Sequence, residues 1–293
     1  MAGPEAAPRA VLLSIGSELL AGETVDTNAA FLGRELARLG VELVEVRQLP
    51  DDLAAIAHAV EEVAVHRADL VLATGGLGPT HDDLTREALA QALGEPLAMD
   101  PALEAALRER FGAYGRMPES NLRQAMRVPS AEILANPIGS APGWWVDRGG
   151  AVLALMPGVP SEMRQMWTDE VVPRLRRRFA LRPVHVRTVK TFGIGESAAA
   201  QAAGDLLAAP GDGVTAGIYA RDDGVHLRFS TRGEPAVLQP LALRAAGLLG
   251  EHVWGTDADD LGAIALAALG AAGAETASSW EADTGGALMA ILA

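Results

Sequence analysis

The stretch Thr74-Gly75-Gly76-Leu77-Gly78-Pro79-Thr80-His81-Asp82-Asp83-Leu84-Thr85 joins an apolar run to a glycine turn, a carboxylate pair and the start of a helix. Upstream, Asp69 to Ala73 is the short apolar run expected of a strand buried on both faces. Downstream, Leu84, Ala88, Leu89 and Ala92 recur at helical spacing, with Asp83 placed as N-cap and Gly94 just past the C-terminus. A helix N-terminus facing a glycine turn offers free N–H groups to phosphate oxygens. Asp82 and Asp83 would repel such a ligand unless a divalent cation lay between, so the pattern points to phosphate plus metal. Capping by Asp83, with Asp82 simply solvated, explains the same residues.

Outward from this junction the chain alternates strands and helices. Ala10 to Ile15 reads as a strand, and Leu32, Leu36 and Leu39 lie on one helical face that ends before Gly40. Val41 to Arg47 alternates like a strand, and Asp51 to Val65 carries Leu53, Ile56, Ala57, Val60 and Ala64 on one helical face. This rhythm defines an α/β fold with a mostly parallel sheet. Ligands of such sheets bind beyond the carboxyl ends of the strands, where both Gly16-Ser17-Glu18 and Gly75 to Asp83 fall. A hairpin of Trp144 to Val146 and Ala151 to Met156 about Gly149-Gly150 then delivers a third loop, Pro157 to Pro160. On an alternating strand one of Trp144 and Trp145 points to the core, leaving at most one for a ligand. From Val184 the pattern changes to a strand (Val184 to Thr191), a helix (Glu196 to Leu207), two strands about Asp222-Asp223-Gly224, and a helix from Ala236 to Leu249.

Composition removes several classes of function. With 293 residues, 49% of them hydrophobic, the chain can build two compact domains. No apolar stretch is long enough to span a bilayer and Met1 to Arg9 lacks a signal-peptide pattern, so a cytoplasmic protein with no membrane partner is expected. A net charge of -14 argues against nucleic-acid partners, and Arg174 to Arg178 reads as the solvated end of a helix. The absence of cysteine excludes disulfides, thiolate metal sites and cysteine nucleophiles. Lys190 is the sole lysine, so no P-loop lysine exists, and no G-x-S-x-G elbow occurs. His81 has no second histidine at metal-ligand spacing.

The N-terminal half resembles the CinA family, competence/damage-inducible protein A, whose first domain is related to the molybdopterin-binding MoaB/Mog fold. Five segments carry the resemblance in order: Ile15 to Leu20 with Asp26-Thr27-Asn28; Gly75 to Thr85; Asn121 with Arg123-Gln124-Ala125; Asn136 to Gly143; and Pro157 to Met163. It implies a three-layer α/β domain over residues 1–176, a small α+β domain of ferredoxin or KH type over 180–256, and a truncated remnant of a nicotinamide mononucleotide deamidase domain over 257–293. Ser278 to Gly286 departs from that domain's usual turn, so no deamidase activity is expected. For the first domain the resemblance implies divalent-metal-dependent hydrolysis of ADP-ribose to AMP and ribose 5-phosphate, with Mg, Mn or Co as cofactor and a nucleotide as small-molecule partner.

Site residues follow from the residues and the resemblance together. Asp82 and Asp83 are the expected metal ligands, and Glu18 a further ligand or the base that orients water. Ser17, Thr80 and Ser140 can bond phosphate or ribose hydroxyls. Gly16, Gly75, Gly76, Gly78, Pro79, Gly139 and Gly158 shape loops that approach a ligand closely. Asn28, Asn136 and Glu162 are the remaining polar candidates, Asn136 also serving as a turn former before Pro137. Two other readings stand beside this one: a molybdopterin-type ligand-binding module, and a non-catalytic interaction protein. Self-association as a homodimer is expected from related domains.

Overall fold

A computed structural model describes residues 7–66, 68–112, 117–148 and 150–273. The chain divides into two units, Met1–Pro183 and Val184–Ala293.

The first unit is built on a six-stranded sheet. Its elements are β1 (Arg9–Ile15), α1 (Ser17–Leu20), α2 (Thr27–Leu39), β2 (Glu42–Leu49), α3 (Leu53–His66), β3 (Leu70–Thr74), α4 (Thr85–Leu93), β4 (Ala98–Met99), α5 (Pro101–Gly112), β5 (Met126–Arg127), β6 (Glu132–Leu134), β7 (Gly143–Asp147), β8 (Val152–Met156), α6 (Pro160–Met166) and α7 (Val172–Arg178). The strand order is β2-β1-β3-β8-β7-β6, while β4 and β5 form a separate pair. β1 runs parallel to β2 and β3, and β3 parallel to β8; β7 pairs antiparallel with β8 and with β6. The parallel centre places the carboxyl ends of β1, β3 and β8 on one edge.

Alternation along β1 explains why both faces are covered. Val11, Leu13 and Ile15 join Ile56, Val60 and Leu89 of α3 and α4 on one face. Ala10 and Leu12 join Leu32, Leu36, Met163 and Leu175 of α2, α6 and α7 on the other. The helix start and stop signals at α2 are satisfied: Asp26 caps Ala29 N and Gly40 takes the left-handed conformation at φ 80°.

Several local expectations are corrected. Asp83 does not cap α4, whose N-cap position is Leu84 without a side-chain cap bond. Trp144 and Trp145 are both core residues, at 0% and 4% exposure, because a sheet covered on both sides buries either direction of the alternation. Neither is available to stack on a ligand.

In the second unit the sheet order is β10-β11-β9-β12, all antiparallel, from β9 (His185–Thr191), β10 (Val214–Arg221), β11 (Gly224–Thr231) and β12 (Val253–Thr256). Val225, Leu227 and Phe229 of β11 face the helices α8 (Glu196–Ala202), α9 (Gly204–Ala208) and α10 (Leu238–Leu249). The helix expected from Glu196 to Leu207 is broken at Ala203, before Gly204, a weak helix former. The helix expected from Ala236 starts at Leu238, after a 3₁₀ turn over Pro235–Val237, and β12 is an added strand. α11 (Leu261–Ala271) follows it, whereas the departing turn Ser278 to Gly286 lies outside the described residues. Among the described residues no helix is long and apolar enough to cross a membrane.

Trp144 is fully buried and its Nε1 has no hydrogen-bond partner. Trp144→Ala is expected to cost about 3–5 kcal/mol in urea unfolding. Trp144→Phe, which deletes the unsatisfied N–H while keeping a large ring, should cost under about 2 kcal/mol.

Candidate functional site

The three strand ends meet without room for a side chain at Gly75. Its φ is 101°, and a Cβ there would lie 2.1 Å from Ile15 O. The Gly75 N–H donates to Met156 O at 3.1 Å, and Thr85 Oγ1 donates to Gly75 O at 2.9 Å. β1, β3, β8 and α4 are therefore tied together at one residue.

Above this junction lies a cavity of about 460 Å³. Of the sixteen sequence-predicted positions, Gly16, Glu18, Gly75, Gly76, Gly78, Pro79, Thr80, Asp82, Asp83, Ser140, Gly158 and Glu162 line it. Ser17, Asn28, Asn136 and Gly139 do not. Ser17 sits behind the wall, donating from N and Oγ to Asp51 Oδ2 at 2.8 and 2.9 Å. Asn28 lies at a neighbouring small cavity. Asn136 forms the expected turn, its Oδ1 accepting from Gly139 N at 2.8 Å, while its Nδ2 donates to Glu162 Oε2 at 2.7 Å. The Glu162 carboxylate rests against Gly139, where a Cβ would lie 1.9 Å from Oε2.

Asp83 is spent on the glycine turn. Its Oδ1 accepts from Gly78 N at 2.8 Å, and its Oδ2 accepts from Thr80 N at 2.8 Å and from Thr80 Oγ1. The N–H groups of Gly78 and Thr80 thus serve the carboxylate and are not free for a ligand. The N–H groups of Gly76 and Leu77 have no partner among the described residues. Asp82 is exposed, with His81 Nδ1 3.9 Å from its Oδ1. The nearby polar groups of Thr80 and of its own backbone hold the Asp82 carboxyl below the ordinary carboxylate value.

Four residues given no role in the sequence reading complete the site, although Arg123 and Gln124 lie in a segment that carries the family resemblance. Asp51 lines the cavity at the carboxyl end of β2, a position that the strand-end rule alone would have flagged. Gln124 lines it from the 3₁₀ turn Glu119–Ala125, is 1% exposed, and its Oε1 lacks a partner. Arg86, buried in α4, donates to Leu77 O at 2.8 Å and Pro142 O at 3.2 Å, joining the glycine turn to the loop after Asn136. Burial lowers its pKa to about 10. Arg123 grips the other side of the turn, donating to Thr80 O, to Asp83 O at 3.1 Å and to Glu87 Oε1 at 2.7 Å.

The electrostatics are one-sided. Glu18, Asp51, Asp82, Asp83 and Glu162 line the cavity and no lysine or arginine does. This charge disfavours an anionic ligand that enters without cations. Among the described residues no three histidine, cysteine or acidic groups converge closely enough to cage a metal. The donor set instead suits a Mg-type ion, which takes one or two carboxylates and completes its shell with water and phosphate oxygens.

Comparison with known proteins defines the class first. Residues 11–177 match the family described as Probable molybdopterin binding domain, and residues 186–255 match the Damage-inducible protein CinA KH domain. The chain belongs to the CinA family. It is 47% identical over 270 residues to a CinA-like protein of Thermomicrobium roseum, covering 90% of this chain and 66% of that one. A CinA-like protein of Deinococcus deserti is 42% identical over 291 residues, covering 97% and 70%. The chain thus spans about two thirds of the length of these curated relatives. A solved structure described as the protein CinA with unknown function, from Thermoplasma acidophilum, superposes with a TM-score of 0.54 at 34% identity, covering 59% of this chain and 99% of that one.

The two neighbouring aspartates should separate by role. Asp83→Ala is expected to destabilise the first unit by about 1.5–3 kcal/mol and to speed amide hydrogen exchange at Gly78 and Thr80. Asp82→Ala should leave both stability and exchange unchanged.

Proposed function

We propose that the chain hydrolyses the pyrophosphate of ADP-ribose, giving AMP and ribose 5-phosphate, with a divalent cation (Mg, Mn or Co) at Asp82 and Asp83. One observation carries the reading: a 460 Å³ cavity at the sheet's carboxyl edge, lined by five carboxylates and backed by a glycine turn, with no basic side chain on its wall. Membership of the CinA family supports it.

Asp82 would be the principal ligand, because Asp83 already supports the turn. The ion, when bound, supplies charge neutralisation for the two phosphates. The free N–H groups of Gly76 and Leu77 take phosphate oxygens, and Ser140 takes a phosphate oxygen or ribose hydroxyl. Glu18, in α1 just beyond β1, accepts a proton from water as the water oxygen bonds to phosphorus. The bridging P–O bond breaks and the leaving phosphate carries the electron pair away. Asn136 positions Glu162 on the opposite wall.

The family match to a molybdopterin-binding domain favours a second reading, in which the same cavity holds a pterin phosphate without chemistry.

Purified protein with ADP-ribose and Mg, Mn or Co should release AMP, followed by chromatography. Glu18→Gln should lower kcat about 10²- to 10⁴-fold, and Asp82→Ala should raise the metal concentration required. If a folded sample yields no AMP with any of the three metals, the pyrophosphatase reading fails and pterin binding, measured by fluorescence quenching, takes its place.

A further inference from the structure

Asp26-Thr27-Asn28 lies at the start of α2, yet helix capping does not account for all of its side-chain polar atoms. Asp26 Oδ1 caps the helix, accepting from Ala29 N at 2.8 Å. Asn28 Nδ2 donates to Gly158 O at 2.8 Å. These two bonds fix the orientation of both side chains. The remaining oxygens, Asp26 Oδ2 and Asn28 Oδ1, are buried and have no hydrogen-bond partner. Flipping the Asn28 amide gives no relief, since its oxygen would then face the Gly158 carbonyl.

Asn28 is only 8% exposed, and together with Asp26 it lines a cavity of about 100 Å³. Glu18, Thr24, Thr27 and Thr74 share the wall, and no lysine, arginine or histidine does. Two acceptors cannot satisfy each other, and the carboxylates of half-buried Asp26 and exposed Glu18 add negative charge beside the buried amide oxygen. A cation answers both demands. The donors are carboxylate, amide and hydroxyl oxygens without nitrogen or sulfur, the set preferred by hard divalent ions.

We propose that Asp26, Asn28 and Glu18 form a second site for a hard divalent cation, separate from Asp82 and Asp83. Glu18 and Gly158 line both cavities, so an ion here would hold Glu18 and the Gly158 loop in place at the edge of the larger cavity. The site stands independently of the ADP-ribose reading.

The test counts bound Mn²⁺ by the loss of the free-ion electron paramagnetic resonance signal, without nucleotide, in the full chain carrying Asp82→Ala. That chain should bind Mn²⁺. Adding Asp26→Asn, which keeps a capping oxygen but removes the charge, should weaken the binding at least tenfold, as should Asn28→Leu. Circular dichroism checks that each variant is folded, and if Asn28→Leu fails to fold, Asp26→Asn decides. No Mn²⁺ binding by the Asp82→Ala chain would mean that water alone fills the cavity. Binding unaltered by Asp26→Asn would place the ion elsewhere. Either result overturns the proposal.

Discussion

The site depends on how closely three parallel strand ends approach one another. Gly75 ends β3 with its α-carbon pressed against the Ile15 carbonyl of β1, and a Cβ on Gly158 would lie 3.3 Å from Gly75 Cα. Only backbone fits there, so the floor of the cavity is main chain. The positive φ of Gly75 then turns the chain away from the sheet, and the next ten residues become a wall. Thr85 and Arg86, at the start of α4, tie that wall to Gly75 and to the loop preceding β7. Fold and site therefore share one constraint.

Above that floor, the carboxylates divide the work. Asp83 is consumed by three donors of the turn it closes, and Asp51 by Ser17. Glu162 is held by Asn136. Asp82 stays exposed, with its carboxyl favoured in the ionised form. Five carboxylates therefore face the cavity, and no lysine or arginine among the described residues lines it. On the proposed function, a wall of this kind favours ligands that arrive with metal, which reconciles a net charge of -14 with a phosphate-bearing partner.

Much of this was legible in the sequence, because hydrophobic period, glycine and chain order are local signals. The strand before Gly75, the α2 face ending at Gly40, and Gly94 after α4 could be read directly. The role of Asp83 could not. An aspartate before a helical pattern reads as a forward cap, but this one turns back to Gly78 and Thr80, and residue order does not encode that direction. Both tryptophans of β7 are buried because helices cover both faces of the sheet, a tertiary fact that alternation alone misses. Arg86 and Gln124 look like surface residues of short helical segments until the loops fold over them.

The central claim is that three loops far apart in sequence form one site for a phosphate-bearing nucleotide. Its most direct test is the amide ¹H–¹⁵N spectrum of the chain titrated with ADP-ribose in the presence of Mg²⁺. The signals of Gly16, Gly76, Leu77, Ser140 and Gly158 should shift together with a single saturation curve, and those of the second unit should not move. Shifts confined to other residues, or none at millimolar ligand, would contradict the assignment of this cavity as the site.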